Sequence, residues 1–245
     1  MQDSKNFPHS GVPVLSLRHV VLFPAQSMPV WVSAEKSAQA IQAAQDQGGW
    51  VFVVKTKSSE RIDKPENLYH VGTLAKIEQV KSYSNETLQV SLSSAVRFEV
   101  EQFDLREGFL VASGGQKIDK FDASEATMSA LEKSLRESAY EIFGLLPPEM
   151  ARFQDLIDSI KDPLVLSYTL SQHLGFDFET KQKILEEDSV KNRLLKILDA
   201  LVKLKDELSV QKEIGSKISS ELSRKQRDAI LREQLKAIQE QLGEG

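Results

Sequence analysis

The sequence predicts an α+β fold in which a β-rich half is followed by helices and the chain ends in one very long helix. Two observations carry this. From Val12 to about Ile118 the apolar residues come in short β-branched and aromatic runs broken by Gly, Ser, Asn and Pro. From Asp122 onward the period becomes helical, and the stretch from Ser189 to Leu242 has no proline and a single internal glycine, Gly215. The resulting division is 1–11 as an unstructured lead-in, 12–118 as a small mixed β-barrel or curled sheet, 119–188 as a helical subdomain and 189–245 as the long helix.

The elements follow in order. Val14–Leu17 and Val30–Val32 read as strands on either side of the Phe23-Pro24 and Met28-Pro29 breaks. Neither proline can donate to a ladder, so pairing is expected only on either side of a loop. A helix over 34–47 has Ser33 as its cap candidate and Gly48-Gly49 as its stop. Trp50–Val54 is a continuous apolar run of the kind found in buried strands. VGTLAKIEQV (71–80) and TLQVSLSSAVRFEVEQF (87–103) alternate at period two, with Ser82-Tyr83-Ser84-Asn85 as a hairpin turn between them. Phe109–Ala112 is a further strand, closed by Gly114-Gly115.

In the helical half, Met128, Leu131, Leu135 and Ile142 mark a helix that stops before Pro147-Pro148. Shorter helices are predicted over 149–160, 163–174 and 178–186, with Asp162 and Pro163 forming a cap and first-turn pair. Continuous helix over 189–242 would be ~81 Å long at 1.5 Å per residue. Leu194, Ile197, Leu198, Leu201, Leu204 and Leu208 form a dense stripe that can dock on the preceding helices. Ile214, Ile218 and Leu222 continue it thinly, Ser223–Asp228 has no apolar residue, and the stripe returns at Ile230, Leu231, Leu235, Ile238 and Leu242. This is the pattern of a helix that leaves its own domain and meets something else.

Composition bounds the function. A net charge of −5 gives no whole-chain steering toward nucleic acid or anionic membrane, and the absence of cysteine excludes disulfides and thiolate metal sites. The first eleven residues lack the apolar core of a secretory signal, and no apolar run reaches the ~18 residues a membrane span needs; a cytoplasmic protein is expected. Residues 189–245 carry 12 Lys+Arg against 9 Asp+Glu, while the remainder carries 19 against 27. Arg224, Lys225 and Arg227 are interspersed with acids and read as a solvated helix face. No phosphate-cradling G-x-x-x-x-G-K-[ST] occurs, no G-x-S-x-G elbow, and His9, His19, His70 and His173 are too scattered for a metal motif. The chain has no catalytic, cofactor or metal residues of its own to nominate, which points to a binding module or a part of a larger enzyme.

VPVLSLRHVVLFPAQSMPVWV (12–32) resembles the opening signature of the Lon protease N-terminal domain family: an apolar strand, Leu-Arg, Phe-Pro, then a Pro-led strand. VGTLAKIEQV, the Arg-centred AVRFEV (95–100), PPEM (147–150), KQKILEEDSVKNRLLKIL (181–198) and REQLKAIQEQLGE (232–244) follow in the family's order. The sequence departs from the pattern at Ser16, where a second proline is frequent, at His19, and at Ser93-Ser94, where a Glu-Gly step is usual. The resemblance implies a PUA-like β-barrel at the front of a homohexameric, ATP-dependent serine protease that degrades misfolded and selected regulatory proteins. It places the ATP- and Mg-binding motifs and the Ser-Lys dyad beyond Gly245, so this chain alone would bind no cofactor and cut no peptide bond.

On that resemblance the chain recognises exposed apolar polypeptide, with Phe23, Met28, Trp31, Glu35 and Lys36 as candidate contacts. Phe23 and Trp31 also fit a plain core role, and Met28 is the best single candidate because flexible Met surfaces suit promiscuous binding. Ile230, Leu231, Gln234, Leu235, Ile238, Glu240 and Leu242 are the candidate contacts of the long helix with neighbouring subunits. Two rival readings remain: a stand-alone substrate-binding adaptor, and a PUA-like nucleic-acid module. DNA binding by the full-length protein finds no support in the β half, which lacks clustered Lys/Arg interleaved with aromatics.

Overall fold

The structure is a computed structural model, and it describes residues 7–33, 35–58, 64–84, 87–146 and 152–242. Among these, strands β1 (Val12–Leu17), β2 (Ser27–Val32), β3 (Trp50–Lys55), β4 (Val71–Ser84), β5 (Thr87–Arg106) and β6 (Phe109–Gln116) form one mixed sheet in the order β2-β5-β4-β3-β1-β6. The parallel pair is β1 with β3 (Val14 opposite Phe52); the other pairs are antiparallel. The 20-residue β5 runs past the end of β4 and pairs its second half with β6, so the circuit of pairings β5-β4-β3-β1-β6 closes on itself.

Side-chain alternation builds two apolar layers from each strand. In β3, Val51 and Val53 join Leu15, Leu17, Val30, Val32 and Ile41 on one face, while Phe52 and Val54 join Val12, Val14, Leu74 and Phe98 on the other. Helix α1 (Glu35–Asp46) lies over the first layer through Ile41 and Ala44; Ala34, the first residue of the expected helix, is outside the described residues. Close approach fixes two glycines. A Cβ on Gly72 would sit 2.4 Å from the Val53 carbonyl oxygen, and one on Gly114 would sit 2.1 Å from that of Glu99.

Several strand ends differ from the sequence expectation. Pro29 lies inside β2, opposite Ser91 of β5, and does not break it. An edge strand needs ladder hydrogen bonds on one side only, so the missing N–H is tolerated there. Ser82, Tyr83 and Ser84 belong to β4, with Ser84 opposite Thr87, so the turn falls on 85–86, outside the described residues. Gly114 and Gly115 sit within β6, beside an irregularity in β5 between Val100 and Gln102, and do not end the strand.

Helices α2 (Glu125–Phe143), α3 (Arg152–Ser159), α4 (Pro163–His173), α5 (Phe178–Glu186) and α6 (Val190–Leu242) complete the fold. The PPEM motif and the expected start of α3 lie outside the described residues. Asp162 caps α4 as predicted, accepting from the Leu164 N–H at 2.8 Å. Helix α6 is continuous through Gly215 for 53 residues. Its Leu194, Ile197 and Leu201 are buried against α2, α4 and α5, with Leu198, Leu204 and Leu208 packed alongside. The same core takes in Val21, Phe23 and Val71 from the β-rich half, so the two halves share apolar contacts.

Two buried arginines weld this junction. Arg97 of β5 donates through Nη1 to the carbonyls of Leu185 and Glu187 (both 2.9 Å) and through Nη2 to that of Ile118 (3.2 Å), and pairs with Asp119 at 2.8 Å. Arg193, in the first turn of α6, meets the same Asp119 oxygen at 2.6 Å and donates to the Tyr168 hydroxyl at 3.0 Å. A parallel bridge between Lys120 and Ser189 ties the strand exit to the start of α6.

Candidate functional site

After β1, residues 18–26 form a loop that turns the chain from one free strand edge to another. Val21, Leu22 and Phe23 are buried, which pulls the loop inward. Its backbone is then pinned from two sides. Ser94 Oγ donates to the Phe23 carbonyl (2.6 Å) and accepts from the Gln26 N–H (2.8 Å), while Thr73 Oγ1 donates to the Leu22 carbonyl. On the helical side Gln172 Oε1 accepts from the Phe23 N–H at 3.0 Å, and Gln26 Nε2 donates to Thr169 Oγ1 at 3.2 Å. Ala25 takes a left-handed backbone, φ 58°, within this clamp. Ser94 thus holds the turn through its side chain.

The loop borders a cleft of about 490 Å³. One wall is Leu15–Val20; the other is Pro29–Ser33, and Ser37 of α1 closes one end. Arg18 and His19 are exposed on the first wall, and the His19 ring lies 6.0 Å from Phe178. Burial lowers the pKa of Lys55, whose Nζ sits 5.3 Å from the centre of the same Phe178 ring. On the second wall Val30 and Val32 point into the core and Pro29 and Trp31 point out. Trp31 is 55% exposed and packs its ring 4.9 Å from that of Tyr83, itself 62% exposed. Two large aromatic rings held against each other in solvent form an apolar surface with no cover from the described chain.

The candidate contacts therefore separate. Phe23 is fully buried in the shared core, 6.2 Å from the Tyr168 ring, and offers nothing to a partner in this conformation. Met28 is half-buried against the sheet core, its Sδ 3.8 Å from Gln172 Nε2. Trp31 is at the cleft, and Glu35 and Lys36 are exposed in the first turn of α1, which borders it. Along α6, Ile230 (56%), Leu231 (53%) and Gln234 are exposed; the side chains of Leu235, Ile238, Glu240 and Leu242 lie outside the described residues. Tyr83 escapes the sequence reading because Ser82-Tyr83-Ser84-Asn85 has the composition of a turn. Continuing the two-residue period of β4 through Gln79 and Lys81 would have placed it on the exposed face. Among the described residues no three His, Asp or Glu side chains are grouped to hold a metal, and no helix is long and apolar enough to cross a membrane.

A sequence model of the ATP-dependent protease La (LON) substrate-binding domain matches residues 11–203. The chain belongs to the Lon substrate-binding domain family. It is 33% identical over 234 residues to Lon protease 1 of Bdellovibrio bacteriovorus, covering 95% of this chain and 30% of that protein. It is 29% identical over 245 residues to the Lon protease of Cytophaga hutchinsonii, covering 99% and 30% respectively. The chain thus spans less than a third of the length of these relatives. The N-terminal domain of the Mycobacterium avium complex Lon protease shares the fold, with a TM-score of 0.64 at 20% identity over 78% of this chain and 97% of that one. In this Lon domain the cleft, the aromatic pair and the pinned loop all lie within the matched residues.

Proposed function

We propose that this chain is the substrate-recognition region of an ATP-dependent Lon protease and that it holds exposed apolar polypeptide at Pro29, Trp31 and Tyr83, beside the β1–β2 cleft. The observation that carries the reading is the solvent-exposed Trp31–Tyr83 pair. Covering the free half of such a ring contributes about 2 kcal/mol, so two rings give the weak, sequence-tolerant grip that unfolded chains require. The exposed first turn of α1 extends the surface on one side, whereas half-buried Met28 packs on the core face of β2. Peptide-bond hydrolysis and the use of ATP and Mg would belong to further domains of a hexameric enzyme, reached through α6, whose distal Ile230 and Leu231 face solvent and suit contact with a neighbouring subunit.

The test is anisotropy titration of a fluorescent, permanently unfolded protein (reduced and carboxymethylated) with the chain and with Trp31→Ala and Tyr83→Ala. Each variant is expected to weaken binding roughly ten-fold with an unchanged circular dichroism spectrum. Binding of equal strength by both variants, or none by the parent chain, removes the reading.

A further inference from the structure

The cleft is lined by backbone as well as by side chains, and the ladder geometry shows which groups are free. The Gln26 carbonyl accepts from the Ser94 N–H of β5 at 2.8 Å, and Met28, Val30 and Val32 follow at two-residue steps opposite Leu92, Val90 and Leu88. In a strand the N–H and C=O of alternate residues point to opposite sides, so the even residues of β2 serve β5. The odd residues, Pro29, Trp31 and the following Ser33, direct their backbone groups away from β5. No strand pairs with β2 on that side among the described residues. Pro29 carries no N–H, and it stands at a position where β5 does not need one.

The opposite wall is built the same way. The Leu17 carbonyl accepts from the Thr56 N–H at 3.0 Å, which assigns the odd residues of β1 to β3. The even ones face β6, and within β1 only Val12 and Pro13 pair with it. Ser16, which lines the cleft, therefore carries its N–H and C=O on an edge that β6 leaves unpaired.

We infer that the cleft binds its polypeptide as an added β-strand along the free edge of β2, with backbone hydrogen bonds to Pro29, Trp31 and Ser33 and alternate side chains reaching the Trp31–Tyr83 surface. This rests on the recognition reading above and gives it a mode. The occupant is an extended apolar segment, because the free wall groups repeat at the strand period and the exposed side chains beside them are Pro29, Trp31 and Tyr83. Exposed Arg18 and His19 line one mouth, so the end of the segment that lies there carries acidic side chains. Main-chain recognition also explains how one small site can accept unrelated sequences: every extended peptide offers the same donors and acceptors.

The experiment uses one fluorescent ten-residue apolar peptide with an acidic end, and two versions of it N-methylated at alternate residues in the two registers. A strand on one edge uses only every second N–H. Methylation in one register is expected to weaken binding roughly ten-fold, the loss of two or three hydrogen bonds, and in the other register to leave it unchanged. Amide hydrogen exchange of the complex is expected to show new protection at Trp31 and Ser33. Equal affinities for all three peptides, or an equal loss in both registers, overturn strand addition while leaving side-chain recognition standing. Failure of the unmethylated peptide to bind overturns the recognition reading itself.

Discussion

Replacing Arg97 tests the junction between the sheet and the helices. Arg97 is 1% exposed, and its guanidinium serves the end of α5: the Leu185 and Glu187 carbonyls lie in the last turn, where helical carbonyls have no intrahelical donor. In Arg97→Met the Glu187 carbonyl keeps Arg193, and Asp119 keeps Arg193 and the Tyr168 hydroxyl. The Leu185 and Ile118 carbonyls lose the bonds that Arg97 makes to them. At about 1–3 kcal/mol for each stranded buried group, and with the ion pairs to Asp119 and Asp188 broken, the loss is about 3–5 kcal/mol. That is a large part of the roughly 5–15 kcal/mol that a domain has in total. Arg97→Lys is expected to recover less than half, since an ammonium cannot span three carbonyls and a carboxylate. Urea unfolding followed together by circular dichroism and Trp fluorescence measures it. Lys203→Met provides the control: the Lys203–Asp199 pair is exposed at both ends, so its loss costs under about 0.5 kcal/mol. A loss below about 1 kcal/mol for Arg97→Met would refute the argument that this side chain caps α5 and joins the halves.

Two further predictions concern the same junction and the helix beyond it. Burial, followed by the Asp119 carboxylate against the opposing pull of Arg193 and Arg97, pushes the Tyr168 phenol up to about 12. The folded state then disfavours ionisation: the contribution is full below the ordinary pKa near 10 and is lost as pH rises toward 12, amounting to roughly 2–3 kcal/mol. Alkaline unfolding should therefore set in above pH 10 and coincide with Tyr168 ionisation by absorbance near 295 nm, whereas Tyr168→Phe should show a shallower alkaline limb. Truncation after Leu208 removes only exposed residues among those described, so it is expected to lower the helical signal while moving the melting temperature by less than about 2 °C; a large drop would mean that the distal helix folds back on the domain.

The strands and helices were legible because burial imposes periodicity. Val51 and Val53 alternate with Phe52 and Val54, and Leu194, Ile197 and Leu201 share one helical face. What was not legible depends on tertiary position. Nothing local says that β2 is an edge strand, so Pro29 read as a break. Gly114 read as a stop, whereas its role comes from the Glu99 carbonyl 15 residues away. Phe23, the natural apolar candidate for a partner, turns inward because the helical half, Tyr168 among it, builds a core around its ring. The two arginines were hardest to foresee. A charge on a strand or helix reads as a surface residue, and Arg97 and Arg193 are buried only because Asp119 and the last turn of α5 arrive from distant parts of the chain.

The arginine pair also decides what α6 can do mechanically. Its first three turns lie in the shared core, and Lys205 makes a 2.7 Å ion pair with Glu141 of α2. From residue 209 on, every described side chain is exposed. Those 34 residues to Leu242 reach about 51 Å at 1.5 Å per residue. A helix of that length with an apolar core at one end and solvent along the rest carries motion as a lever only if its base cannot swivel. Arg193 stands at that base, and Asp119 holds it together with Arg97 of the same β5 whose other half pairs with β2, the strand that forms a wall of the cleft. Cleft, strand, arginine clamp and helix are therefore joined in one unbroken series of packed contacts. If the distal stripe is held by a neighbouring subunit, the direction in which the cleft faces is set by the clamp, and loosening the clamp at Arg193 should uncouple the two ends before it unfolds either.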